Sequence, residues 1–318
     1  MKKVLVNFLI ITAFAVSAAC MSCNKDDSPP FKIKGLTLEN FPVIDGSTST
    51  DPLVKIIACK LLGYKYEWRR SYSTDGSWYI SSDLPDEFVN AHLKASQTHN
   101  AFINLIDRNA DMIFSARKMS DDEKAYATEA GVLLIETPVA LDALIFIVNS
   151  MNQVKSLTHQ QLLDIYYGTI KNWQVVGGEN APIMPFVRNK NSGSQELMET
   201  FLLHEPISDD FPNDDIISII SMLYLLTAIE TSPYGLGYTV HYYKENIFKD
   251  VKNINTIAVN NIYPDKRTIA NRTYPYTAEV YAIIHSDLDK SSMAYKIYEL
   301  LQTEAGKRVI SESGYVPN

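Results

Sequence analysis

The chain has 318 residues, 46% of them hydrophobic, and a formal net charge of −8 at pH 7. That balance argues against nucleic acid as a partner, and three cysteines are too few for a cysteine-built metal site. The six histidines show no H-E-x-x-H or comparable spacing, so neither a metal nor a cofactor is expected.

The N-terminus reads as a processing signal. Lys2 and Lys3 precede an apolar run over 4–19 that is short for a membrane span and ends in small residues. We expect a lipoprotein signal peptide over 1–22, with Cys23 the lipidated residue and Cys20 the alternative. A polar tether over 23–33 follows, which puts the domain outside the cytoplasm with a lipid as its only hold on the membrane. A short apolar segment, 41–44, then leads into the loop 45–51 and a helix over 52–62, with Pro52 at its start and Gly63 at its C-cap. Cys59 in that helix reads as a buried structural thiol. The loop 74–76 reads as solvated.

Next come Ser96-Gln97-Thr98-His99 and a helix over 100–108, then a strand over 111–114 that ends in Ser115-Ala116-Arg117, then a helix over 121–130. Strands are predicted over 133–135, 144–148, 183–187, 237–240 and 280–284, and helices over 158–166, 196–203 and 291–301. The stretch 209–215 reads as a solvated insertion. Strands alternating with amphipathic helices give an α/β protein with largely parallel sheets. About 290 residues beyond the signal suit two lobes better than one core.

Three hydroxyl-rich loops open helices: Ser47-Thr48-Ser49-Thr50, Ser96 to Asn100, and Ser192-Gly193-Ser194 after Arg188. Each reads on its own as an N-cap, the commonest role of such turns. Together they have a second reading. First-turn N–H groups carry partial positive charge, and a guanidinium is a planar, permanently charged fork, so the set suits an oxyanion. One helix terminus supplies at most about 2 kcal/mol and one hydrogen bond to a charged group about 1.5–3, while micromolar binding needs about 8. No single loop reaches that; three loops with an arginine do. Nothing sets a base beside a nucleophile, and neither a Gly-x-Ser-x-Gly elbow nor a phosphate-cradling glycine loop is present, so no enzyme is expected. Tyr166, Tyr167 and Trp173 read as core.

Several segments in this order resemble one family. They are Gly46-Ser-Thr-Ser-Thr-Asp-Pro-Leu53, Ser115-Ala-Arg-Lys-Met-Ser120, Thr137-Pro-Val-Ala-Leu141 with the apolar run after it, Leu157-Thr-His-Gln-Gln161, Arg188 to Gln195, Gly235-Leu-Gly-Tyr238 and Ile262-Tyr-Pro264. The chain is similar to the substrate-binding proteins of phosphate ABC transporters, of the type II periplasmic-binding-protein fold. The resemblance implies two mixed sheets flanked by helices and a two-strand hinge crossing near 137–141 and 238–242. Lobe 1 would comprise 34–138 and 240–318, and lobe 2 would comprise 139–239.

It also implies a monomer that passes phosphate, or a similar oxyanion, to an ABC permease. Arg188, Ser192, Gly193 and Ser194 match the clamping arginine and its turn, Ser47 and Thr48 the first loop, Thr98 or Ser96 the second, and Ser115 a strand-end serine. Some members place an aspartate where this chain has Ala116. Arg117 beside it either adds charge to the site or points to solvent. The alternative is a surface sensor or interaction protein that keeps the fold and recognises another ligand.

Overall fold

The computed structural model describes residues 30–72, 77–190, 192–207, 213 and 215–318. The expected signal peptide, Cys20, Cys23, most of the tether, the loop 74–76 and most of 209–215 lie outside the described residues.

In chain order the elements are β1 (Ile44–Gly46), α1 (Asp51–Leu62), β2 (Tyr66–Arg70), β3 (Trp78–Ser82), α2 (Asp86–His92), α3 (Thr98–Ile106), β4 (Met112–Ser115), α4 (Asp121–Glu129) and β5 (Leu134–Asn149). They continue with β6 (Ser156–Leu157), α5 (His159–Tyr166), β7 (Met184–Arg188), α6 (Gly193–Met198), β8 (Ile217–Ile219), α7 (Met222–Thr231) and β9 (Gly235–Val240). The chain closes with β10 (Ile254–Val259), α8 (Lys266–Ala270), β11 (Thr277–His285), α9 (Met293–Leu301), α10 (Glu304–Glu312) and β12 (Val316–Pro317).

Local chemistry sets several of these boundaries. Pro52 lies in the first turn of α1, and Gly63 ends the helix with φ +79°. Ser120 and Glu123 form a reciprocal capping box on α4, as do Thr158 and Gln161 on α5.

The strands run in the order β1-β4-β11-β5-β9-β7-β8. The two expected sheets are joined because β5 belongs to both. At about 3.3 Å per residue its 16 residues reach about 50 Å, long enough to serve two partners in succession. Leu134 to Ala143 pair antiparallel with β11, and Leu144 to Val148 pair antiparallel with β9. The sequence predicts two strands here, at 133–135 and 144–148. The structure joins them through Pro138, whose missing N–H falls beside a register shift at Val280/Tyr281, where an irregular ladder tolerates it.

One expectation changes. The parallel pairs are β1–β4, β7–β9, β7–β8 and β6–β10, while β4–β11, β11–β5, β5–β9 and β5–β10 are antiparallel, so the sheet is mixed rather than largely parallel. Strand β10 falls within the 240–318 return, yet it pairs with Phe146 to Asn149, in the half of β5 that serves the second sheet.

Helix α1 buries Leu53, Ile56 and Ile57 in the first half. In the second half Phe146, Tyr166 and Tyr238 meet at ring-centroid separations of 6.2–6.3 Å, a favourable tilted or edge-on geometry. Trp173 is also buried and donates Nε1–H to the Tyr234 carbonyl at 2.9 Å. Cys59 is fully buried, and burial pushes its thiol up to about 11, which leaves it protonated and unreactive. Among the described residues no helix is long and apolar enough to cross a membrane.

Candidate anion cleft

A cavity of about 350 Å³ lies where the loops leading into α1, α3, α6 and α7 converge. It brings together seven of the nine residues that the sequence singles out: Ser47, Thr48, Thr98, Arg188, Ser192, Gly193 and Ser194.

On one side a buried carboxylate organises the loops. Asp45 accepts from the Gly46 N–H at 2.7 Å, the Ser96 N–H at 2.9 Å and the Asn104 amide at 2.7 Å. It thereby ties the first hydroxyl loop to the second. Ser47 Oγ meets Thr98 Oγ1 at 3.0 Å and accepts from the Ala116 N–H at 3.3 Å, which draws in the end of β4. Gly46 is obligatory: a Cβ there would lie 2.8 Å from the Phe114 carbonyl oxygen. Gln97, on the cavity wall, has φ +74° and ψ 162°, a region ordinarily left to glycine. Such strain is stored where surrounding structure over-determines it, commonly at binding sites.

The other side is built around Arg188, at the end of β7. Its Nε donates to the Ile219 carbonyl at 3.1 Å and its Nη2 to the Ile220 carbonyl at 3.0 Å. Its backbone N–H donates to Tyr238 Oη at 2.9 Å and Gln195 Oε1 at 3.0 Å. The residue is only 8% exposed and has no carboxylate partner among the described residues. Burial lowers its pKa from the usual arginine value, but a guanidinium stays charged in proteins. A buried cation with only carbonyl partners is an uncompensated charge, costly unless an anion joins it.

Ser192 caps α6 by accepting from the Gln195 N–H, so the cap reading and the cavity reading of this turn hold together. Ser194 Oγ is buried without a hydrogen-bond partner among the described residues, a donor waiting for an acceptor. Among the described residues no Asp or Glu lines the cavity. Two basic side chains beside it have partners: Lys190 Nζ lies 3.0 Å from Asp122, and His99 Nδ1 lies 3.0 Å from Glu123.

Two expectations need correction. Ser115 is not on the cavity wall: its hydroxyl donates to the Arg117 carbonyl at 2.7 Å and is consumed in the turn after β4. Arg117 neither enters the site nor points to solvent. It is 4% exposed, pairs bidentately with Glu123 at 2.7 and 2.8 Å, and covers the Phe102 ring. It is a structural link between α3 and the start of α4.

Sequence reasoning missed the α7 side of the cavity. Ser221 caps α7, and Ser221, Met222 and Leu223 line the wall with Val240 and Tyr243. The signal was present: Met222, Leu225, Leu226 and Ile229 keep helical spacing directly behind Ser221.

The cavity lies between the two halves. A Cβ on Gly193 of α6 would come 2.7 Å from Thr98 Oγ1 of α3, and Lys190 pairs with Asp122 across the same gap. A mixed α/β sheet, two halves sharing a strand, and a polar cleft between them define a ligand-receptor architecture. The chain matches the PBP superfamily domain over residues 84–298, more than half its length, and belongs to that superfamily.

Among its relatives, the phosphate-binding protein PstS of Borreliella burgdorferi is 25% identical over 321 residues, covering 99% of each chain. The PstS of Pseudomonas aeruginosa is 26% identical over 244 residues, 72% of this chain and 74% of that one. The solved ABC-type phosphate transport receptor of Vibrio cholerae shares the fold with a TM-score of 0.60 at 21% identity, over 86% of this chain and 99% of that one.

Proposed function

We propose that the protein is an extracytoplasmic solute receptor that captures an oxyanion, inorganic phosphate first, and delivers it to an ABC permease. The observation that carries this reading is Arg188, buried and charged, with no carboxylate among the described residues to neutralise it. The Ser194 hydroxyl, unpartnered among the described residues, and the helix starts at Ser47, Thr98, Ser192 and Ser221 support it from around the same cavity. The relatives named as phosphate-binding proteins support phosphate among oxyanions.

In this reading the halves work as lobes, 34–138 with 240–318 and 139–239, β10 siding with the second. The hinge crossings near 137–141 and 238–242 fall beside the point where β5 changes partner, between Ala143 and Leu144, and the end of β9 at Val240. A ligand that touches both lobes stabilises the closed form by its differential affinity. The receptor acts as a monomer held to the envelope by lipid on Cys23, with Cys20 the alternative.

Titration calorimetry with inorganic phosphate tests the reading. Each hydrogen bond to a charged group is worth about 1.5–3 kcal/mol, so Arg188→Ala should weaken binding by about a hundredfold or more. Unchanged affinity in that variant would remove Arg188 as the clamp.

A further inference from the structure

We infer that the cleft accepts an oxyanion that carries an organic substituent, a phosphonate or phosphomonoester, and not only the bare tetrahedral ion. This rests on the oxyanion reading above and specifies its ligand. The cavity measures about 350 Å³. A water occupies about 30 Å³, so four oxygens counted as waters fill roughly 120 Å³ and leave most of the space unused.

The halves already touch beside the cavity, where Gly193 leaves no room for a Cβ against Thr98 and Lys190 pairs with Asp122 at 3.0 Å. The walls are also chemically unequal. Hydroxyls, Arg188 and the buried Ser194 Oγ supply the donors, whereas Met222, Leu223 and Val240 supply carbon surface. Three apolar side chains gain nothing from a bare, strongly hydrated anion. They gain from an alkyl or aryl group attached to one of its positions, while the remaining oxygens keep the polar wall satisfied.

Calorimetry with inorganic phosphate, methylphosphonate and butylphosphonate tests this. Burying a methylene yields about a fourfold gain, so affinity should rise at least tenfold from methyl to butyl, with an increasingly negative heat-capacity change. Leu223→Asn should shrink the butyl-to-methyl ratio. Phosphate binding with no gain, or a loss, from methyl to butyl would overturn this inference and leave the oxyanion reading standing. Failure of all three probes would overturn both.

Discussion

Arg188 and Ala116 set the charge logic of the cleft from opposite walls. Arg188 is held by carbonyl oxygens, which orient the guanidinium without cancelling its charge. Ala116 lines the cavity where a carboxylate would give a protonated ligand a charged acceptor, and among the described residues no lining residue is a carboxylate. A receptor with donors and rotatable hydroxyls but no carboxylate has little means of telling phosphate from sulfate, because rejection needs an acceptor facing an acceptor. We therefore expect the two anions to bind within about tenfold of each other. Ala116→Asp should cost sulfate about a hundredfold while costing monoprotonated phosphate far less, at about 1.5–3 kcal/mol per charged hydrogen bond lost or left unpaired. Competition calorimetry at neutral pH reads both; equal weakening of the two anions would sink the argument.

At the scale of elements the site depends on how closely α3 and α6 approach. Gly193 is at the start of α6, and an added methyl would meet Thr98 Oγ1 at 2.7 Å, below any real contact. Gly193→Ala should leave each half folded and hold the halves apart, weakening phosphate binding by about tenfold or more with little change in melting temperature of the free protein. A variant that binds as the parent does would show that the approach is incidental.

The same elements show what was legible in the sequence. Helix α1, strand β4 and the Ser192 turn announce themselves through Pro52 and Gly63, a compact apolar run, and a cap ahead of periodic leucines. The hairpin of β2 and β3 does not, because each strand has only five residues and the few apolar side chains it turns to the core, Tyr66, Trp68 and Ile80, alternate with polar ones over too short a run to stand out. The end of β4 misled for a different reason: Arg117 looks like a site cation until α4 brings the Glu123 carboxylate under it. Pairings between distant segments are decided by tertiary structure, and no spacing in the chain announces them.

At the scale of the whole molecule, β5 is the member that both halves share, and its partner change is marked by an unusual group. Asp142 is 2% exposed; its Oδ1 accepts from the N–H groups of Ala143 at 2.8 Å and Tyr242 at 2.9 Å, tying β5 to the segment that follows β9. Its Oδ2 is buried with no partner among the described residues, and burial lifts the carboxyl to about 7. An acid with a raised native pKa keeps its proton in the folded chain after the unfolded chain has released it. Folding stability is therefore highest below the unfolded value of about 4 and declines as pH rises from there to about 7. Asp142→Asn keeps the accepting oxygen and removes the charge. It should stabilise the protein by up to a few kcal/mol at pH 8 and by little at pH 4, since one unit of pKa shift corresponds to about 1.4 kcal/mol. Thermal unfolding of parent and variant at both pH values measures the difference directly. A gain of the same size at pH 4 and pH 8 would mean that Asp142 does not titrate in this window and that packing, not charge, sets the tie between the halves.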